Sequence, residues 1–384
     1  MTEFTYAGHA QDIRFGAGAS HRLGELFQQY GWERALVCSS GYHRRSGSLQ
    51  RVEEALGGGI AITFDAVKPH VQAEQVQDVH DQAAQREVDV IVGLGGGSVI
   101  GMAKAVSDRL HQHRTSRLAR DANPLEPAVV PTVVIPTTYA GSEMTSVYGV
   151  TGLVNGTRKK VTVSGRNIVP RVVIYDPELT LGMPWSLTGT SAMNALAHCF
   201  EALYSVKRDP LSTAAALRGI QVIGKSLPAT YAEGDDLAAR SGLLEGAFLA
   251  GSALAQVQMA IHHGVCHVLG GSAGVPHGVA NTIVLPHALR FNREAARGEL
   301  AEAAVALDLA RRSDDEQSAA DRVIEWVDQL SLDLELPRRL RDYGVTEDQI
   351  PELAGIAMQG GPVRTNPREV GSSEEMEAFL RGML

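Results

Sequence analysis

The chain is poor in the residues that mark several protein classes, and each shortage closes off a reading. It has three cysteines in 384 residues, Cys38, Cys199 and Cys266, odd in number and far apart. That excludes a disulfide framework and suits a reducing compartment. No stretch reaches the roughly 20 apolar residues that a membrane-spanning helix needs. The opening MTEFTYAGHAQDIRFG has neither a basic start nor an apolar core, so the expectation is a cytoplasmic protein without a targeting or membrane segment. Basic stripes are missing too. With a net charge of -9, nucleic acid and anionic membrane surfaces are poor partners, and an anionic substrate would need local cations.

What is present is ample apolar material for more than one core, since 384 residues exceed the usual single-core size. The first part alternates short β-like runs with helical ones. Arg34–Ser40, Gly59–Asp65, Val88–Ser98, Thr132–Thr138 and Arg171–Thr180 are β-branched or continuously apolar, as buried strands of a parallel sheet should be. After them the strand signal stops and the rest reads as helices. The expected fold class is α/β plus all-α, with a nucleotide-binding α/β domain over residues 1–180 and an all-helical catalytic domain over 181–384.

Within the first domain, IVGLGGGSVIGMAKAVS runs from Ile91 to Ser107. An apolar strand empties into Gly95, Gly96, Gly97 and Ser98, and a helix starts at once. Glycines admit a ligand close to the backbone, and the N–H groups and dipole of the helix start favour an anion, so a pyrophosphate fits. The common dinucleotide fingerprint is not matched, because Ser98 stands where its last glycine should be. PTTYAGSEMTS follows the next strand and places the hydroxyls of Thr137, Thr138 and Ser142 at the ligand-binding edge of such a sheet. In VCSS, Ser39 and Ser40 occupy the place where an acid would bind a ribose 2′-hydroxyl and exclude a 2′-phosphate. Strict preference for NAD over NADP is therefore not expected.

The second domain gathers polar groups in apolar surroundings. SAMNALAHCFEALYS carries Asn194 and His198 at i, i+4, and IHHGVCHVLGG carries His263 and His267 at the same spacing, beside His262. His277 follows, framed by Pro276 and Gly278. Unpaired polar groups at such places would cost roughly 1 to 3 kcal/mol each, so these imidazoles mark a site.

GGGSVIGMAKA, PTTYAGSEMT, YDPELT, the NALAH helix, HHGVCHVLGG and PHGVAN, in this order, resemble the iron-containing alcohol dehydrogenase family over nearly the whole chain. The resemblance implies a Rossmann-like first domain, a helical second domain, and NADH or NADPH in the cleft between. Members that hold iron or zinc use an aspartate and three histidines, and the matching positions here are Asn194, His198, His263 and His277. Asparagine removes the only anionic ligand, so no metal is expected. Within the family the chain looks most like the maleylacetate reductase branch, through PTTYAGSEMT, HHGVCH, Asn366–Arg368, Lys68–Gln72 and above all Asn194.

That likeness implies metal-independent reduction of maleylacetate, a small dicarboxylate, to 3-oxoadipate in aromatic compound breakdown, by a homodimer. His267 corresponds to the histidine closest to nicotinamide and substrate, and is the expected proton donor. His198, His263 and His277 would line the pocket and polarise the carbonyl, with Tyr139 as a further catalytic candidate. Lys159, Lys160, Arg364 and Arg368 are possible partners for the carboxylates. Two other readings stay open: a metal-dependent alcohol or hydroxy-acid dehydrogenase of the same family, and a lyase resembling dehydroquinate synthase. Asn194 speaks against the lyase.

Overall fold

All five apolar runs become strands of one parallel sheet. They are β2 (Ala35–Cys38), β3 (Ile60–Phe64), β4 (Val90–Gly95), β5 (Thr132–Pro136) and β8 (Val172–Tyr175), joined by β1 (Asp12–Phe15) in the order β1-β8-β5-β4-β2-β3. In register, Val37 lies beside Val92, Val92 beside Val133, and Val133 beside Val172. Successive side chains point to opposite faces. Val37 and Val92 accordingly join Leu23, Phe27 and Val52 in one layer, while Leu36 and Ile91 join Val79, Met102 and Val106 in the other. Each Val or Leu buried in this way contributes about 1.5–3 kcal/mol relative to exposure. The layers come from α1 (Leu23–Tyr30), α2 (Gly41–Arg45), α3 (Ser48–Leu56), α4 (Ala73–Gln85) and α5 (Gly97–Arg120).

This computed structural model describes residue 4 and residues 6–120, 129–154 and 157–384, with side-chain positions excepted at 117–120, 154 and 157–160. Three strands go beyond the sequence expectation, β1 in the main sheet and two more. β6 (Val147–Val154) and β7 (Thr157–Ser164) form an antiparallel pair apart from the main sheet.

The second unit is built from α6 (Trp185–Tyr204), α7 (Pro210–Ala232), α8 (Leu237–Leu254), α9 (Ile261–Ser272), α10 (His277–Asn292), α11 (Arg297–Ala306), α12 (Glu316–Asp333), α13 (Ile350–Met358), α14 (Gly361–Arg364) and α15 (Ser373–Arg381). From Thr188 to Tyr204 every residue of α6 is buried, polar ones included, so the helix is enclosed by the rest of its unit. α7 begins with a capping box between Asp209 and Ser212, and α8 with Asp236 as N-cap. α9 has no side-chain cap of its own at Ala260.

By its contacts the chain divides into His9–Thr138 with Ser142–Leu181, and Tyr139–Gly141 with Gly182–Leu384 and the described residues up to Gly8. The three residues Tyr139–Gly141 thus belong with the helices, although they lie within the first 180 residues. Among the described residues no helix is long and apolar enough to cross a membrane.

Candidate active site

In the sheet unit the chain leaves β4 through Gly95, whose φ of +154° is one that side chains rarely adopt. A Cβ there would lie 2.7 Å from Val99, and one on Gly96 would lie 3.0 Å from the Thr138 side chain. The turn needs glycine for both reasons. Ser142 Oγ is buried without a hydrogen-bond partner, 3.7 Å from where a Cβ on Gly97 would sit. Glycine backbone, the start of α5 and these hydroxyls make a cradle that fits the pyrophosphate of a dinucleotide.

The segment is braced from beneath. Lys104, buried on α5, donates to the carbonyls of Ser142 at 2.6 Å, Thr145 at 2.7 Å and Val147 at 3.1 Å. Burial draws both Lys104 and the neighbouring Glu143 towards their neutral forms, and each charge works against that for the other. Tyr175 donates to Glu143 at 2.8 Å. The structure gives three expected cofactor residues other tasks as well. Ser39 is fully buried and its hydroxyl donates to the Leu94 carbonyl at 2.9 Å, so it is not presented to a ribose. Thr137 is buried against His43 Nε2 at 3.2 Å, and Ser98 Oγ accepts from the His70 N–H at 3.2 Å.

In the helical unit four imidazoles gather. The rings of His198 and His263 stack at 4.5 Å between centroids, His263 lies 6.2 Å from both His267 and His277, and those two stack at 6.0 Å. His198 and His263 are buried, whereas His267 and His277 are exposed. The series therefore leads from interior to surface. Burial holds His198 and His263 well below the usual imidazole range, and charge on their histidine neighbours acts in the same direction. Gly278 lets α10 start against α6, since a Cβ there would lie 2.9 Å from Thr190 Oγ1.

Asn194, also buried, donates to the Ala140 carbonyl at 3.5 Å, and its Oδ1 has no hydrogen-bond partner. Tyr139 is fully buried. Arg240 donates to its hydroxyl at 3.3 Å and to Thr188 Oγ1 at 3.1 Å, which places Tyr139 in the interior of the unit. Arg368 pairs with Glu375 at 2.5 Å and lies 3.9 Å above the Phe291 ring. Arg364 is exposed, and the side chains of Lys159 and Lys160 lie outside the described residues.

Sequence reasoning missed Glu201. It is the only acid on α6, fully buried, and its Oε2 lies 2.8 Å from His263 Nδ1.

The positions that match the family's metal ligands fit a divalent ion poorly. They carry no anion to balance its charge. Among the described residues three ligand atoms come within 4.8 Å of one another only at Glu201, His262 and His263, and these are already hydrogen-bonded to each other.

The sequence profile of the iron-containing alcohol dehydrogenases matches residues 10–177, and that of the C-terminal part of the Fe-containing alcohol dehydrogenase family matches residues 188–384. The chain belongs to the iron-containing alcohol dehydrogenase family. It is an NAD(P)H-dependent oxidoreductase. It is 36% identical to a maleylacetate reductase of Pseudomonas knackmussii over 369 residues, covering 96% of this chain and 94% of that one. The crystal structure of the maleylacetate reductase from Rhizobium sp. strain MTP-10005 superposes with a TM-score of 0.84 at 32% identity, covering 100% of this chain and 99% of the other. A 1,3-propanediol oxidoreductase structure superposes with a TM-score of 0.89 at 30% identity and covers 100% of both chains.

Proposed function

We propose that this family member reduces maleylacetate to 3-oxoadipate with NADH or NADPH, without a metal ion, as a homodimer in the cytoplasm. Similarity to maleylacetate reductases over nearly the full length supports the reaction. The observation that carries metal independence is Asn194, an amide whose buried Oδ1 stands where a charged ligand is needed.

NAD(P)H, when bound, would supply a hydride to the carbon β to the ketone, and the electron pair of the double bond would move to the ketone oxygen as an enolate. The chain's own residues then have two tasks. One is to hold the developing oxyanion, for which imidazole N–H groups of His198 and His277 serve. The other is to deliver a proton to the α carbon, for which His267 suits, since it is exposed to solvent at the surface end of the imidazole series. An enolate is already stabilised by conjugation, so the reaction asks less of a Lewis acid than ionising a simple alcohol does.

The test is NAD(P)H oxidation by chelator-treated protein when maleylacetate is added, with the metal content measured on the same sample. Turnover without stoichiometric metal, falling by about 100-fold or more in His267→Gln, supports the reading. Activity that returns only with added iron or zinc, or only towards a simple alcohol, overturns it.

A further inference from the structure

Glu201 takes no part in the reaction described above, yet it is bonded at every side. Its Oε1 accepts from the backbone N–H of Ala260 at 3.0 Å and of His263 at 3.4 Å, and its Oε2 meets Nδ1 of His263 at 2.8 Å. α9 lacks a cap of its own, and Glu201 supplies one from another helix.

The hydrogen bonds around it have a direction. Nε2 of His262 lies 2.9 Å from the Asn281 carbonyl oxygen, which can only accept, so that nitrogen carries a hydrogen. In a neutral ring Nδ1 of His262 then carries the lone pair. It sits 3.1 Å from Nδ1 of His263. Two lone pairs cannot face each other at that distance, so the hydrogen between them belongs to His263. The same N–H serves Glu201 Oε2. The Nε2 of His263, buried and without a hydrogen-bond partner, is therefore an acceptor.

We propose that Glu201 is a positioning residue, which holds His263 in the Nδ1–H tautomer and so makes it an acceptor within the imidazole cluster. Donation to the substrate is left to the other three histidines. The second point rests on the function proposed above, whereas the tautomer assignment does not.

Glu201→Gln separates a positioning role from a packing role. The backbone N–H groups of Ala260 and His263 require oxygen at the Oε1 place, so the amide nitrogen must take the Oε2 place and present N–H to His263 Nδ1. The His263 ring must then switch to Nε2–H, and the ring of His262 must follow to Nδ1–H and give up the Asn281 carbonyl, a paired change of tautomer of the kind that costs a histidine enzyme orders of magnitude in rate. Nitrogen NMR of histidine-labelled protein, without substrate, reads the tautomer directly. The expected result is Nδ1–H for His263 in the wild type and Nε2–H in Glu201→Gln, with kcat for maleylacetate lowered by about 100-fold or more and KM changed by less than about threefold. Glu201→Asp keeps an acceptor and should keep the wild-type tautomer with part of the rate. A wild-type His263 found as Nε2–H overturns the proposal, even if Glu201→Gln does not fold. So does a folded Glu201→Gln with unchanged tautomer and kcat. A wild type without maleylacetate turnover overturns the function and leaves the NMR to decide the role of Glu201.

Discussion

Asn292 and Asn366 bind each other head to tail: Asn292 Nδ2 donates to Asn366 Oδ1 at 2.9 Å, and Asn366 Nδ2 donates to Asn292 Oδ1 at 2.6 Å. Asn366 Oδ1 also accepts from the backbone N–H of Ile261 at 3.3 Å, and Thr365 donates to the Met259 carbonyl at 2.7 Å. The Asn-Pro-Arg segment thereby anchors the start of α9, the helix that carries His262, His263 and His267. Asn366→Ala strands the Ile261 N–H and the Asn292 amide in the interior. The expected loss is about 2–3 kcal/mol in denaturant unfolding, against less than about 0.5 kcal/mol for Arg364→Ala on the exposed neighbouring turn. Equal effects of the two would rule out this anchoring role.

The sequence is legible where burial is one-sided or complete and illegible where it is mixed. β2, β4, β5 and β8 are buried along their whole length, so they appear as unbroken apolar runs. β1 is only partly buried and reads Asp-Ile-Arg-Phe, which no apolar pattern reveals. β7 carries Arg158, Lys159 and Lys160 and is hidden for the same reason, although Asn155-Gly156 is a hairpin signal that could have betrayed the pair. Residues 155 and 156 lie outside the described residues. At the site, the histidines show through their helical spacing. Glu201 shares a helix with His198, but its partners Ala260 and His263 lie about sixty positions onward, and only the fold joins them.

The glycine turn yields a contrast between two neighbours. Gly95→Ala strains a backbone at φ +154° and drives a methyl group to 2.7 Å from Val99, so it should destabilise the fold by about 1–3 kcal/mol. Gly97 is exposed, and a Cβ there meets only Ser142 Oγ at 3.7 Å. Gly97→Val should leave stability within about 1 kcal/mol while filling the phosphate cradle. Titration of NADH and NADPH by fluorescence should show affinity reduced by about tenfold or more, which corresponds to 1.4 kcal/mol. Unchanged affinity would move the pyrophosphate elsewhere.

His43 sets an acid limit on the sheet unit. Burial lowers it to about 4 from the ordinary 6.5, and its Nδ1 has no hydrogen-bond partner while Nε2 faces Thr137. Because the folded pKa lies below the unfolded one, the unfolded chain binds a proton that the fold refuses between these two values. The stability involved is present above pH 6.5 and is lost as pH falls towards 4, at about 1.4 kcal/mol per pH unit for one proton. In His43→Leu the slope of unfolding free energy against pH over this window should be shallower by about that amount. A slope identical to the wild type would show that His43 takes up its proton without unfolding.

Asn194→Asp tests the charge argument by restoring what the site lacks. An aspartate there would add the missing anion to His198, His263 and His277, and the burial of position 194 would make that charge costly unless a cation neutralised it. The variant purified with iron or zinc in the medium should therefore retain close to one ion per chain after dialysis, while the wild type retains far less. Stripping the variant should lower its melting temperature, because binding to the folded state alone stabilises it by mass action. Maleylacetate turnover should fall in the metal-loaded variant, since an ion held by these imidazoles would occupy the lone pairs and N–H sites assigned to the enolate. A wild type that itself retains one ion per chain, and loses its turnover when stripped, would contradict the charge argument at its root.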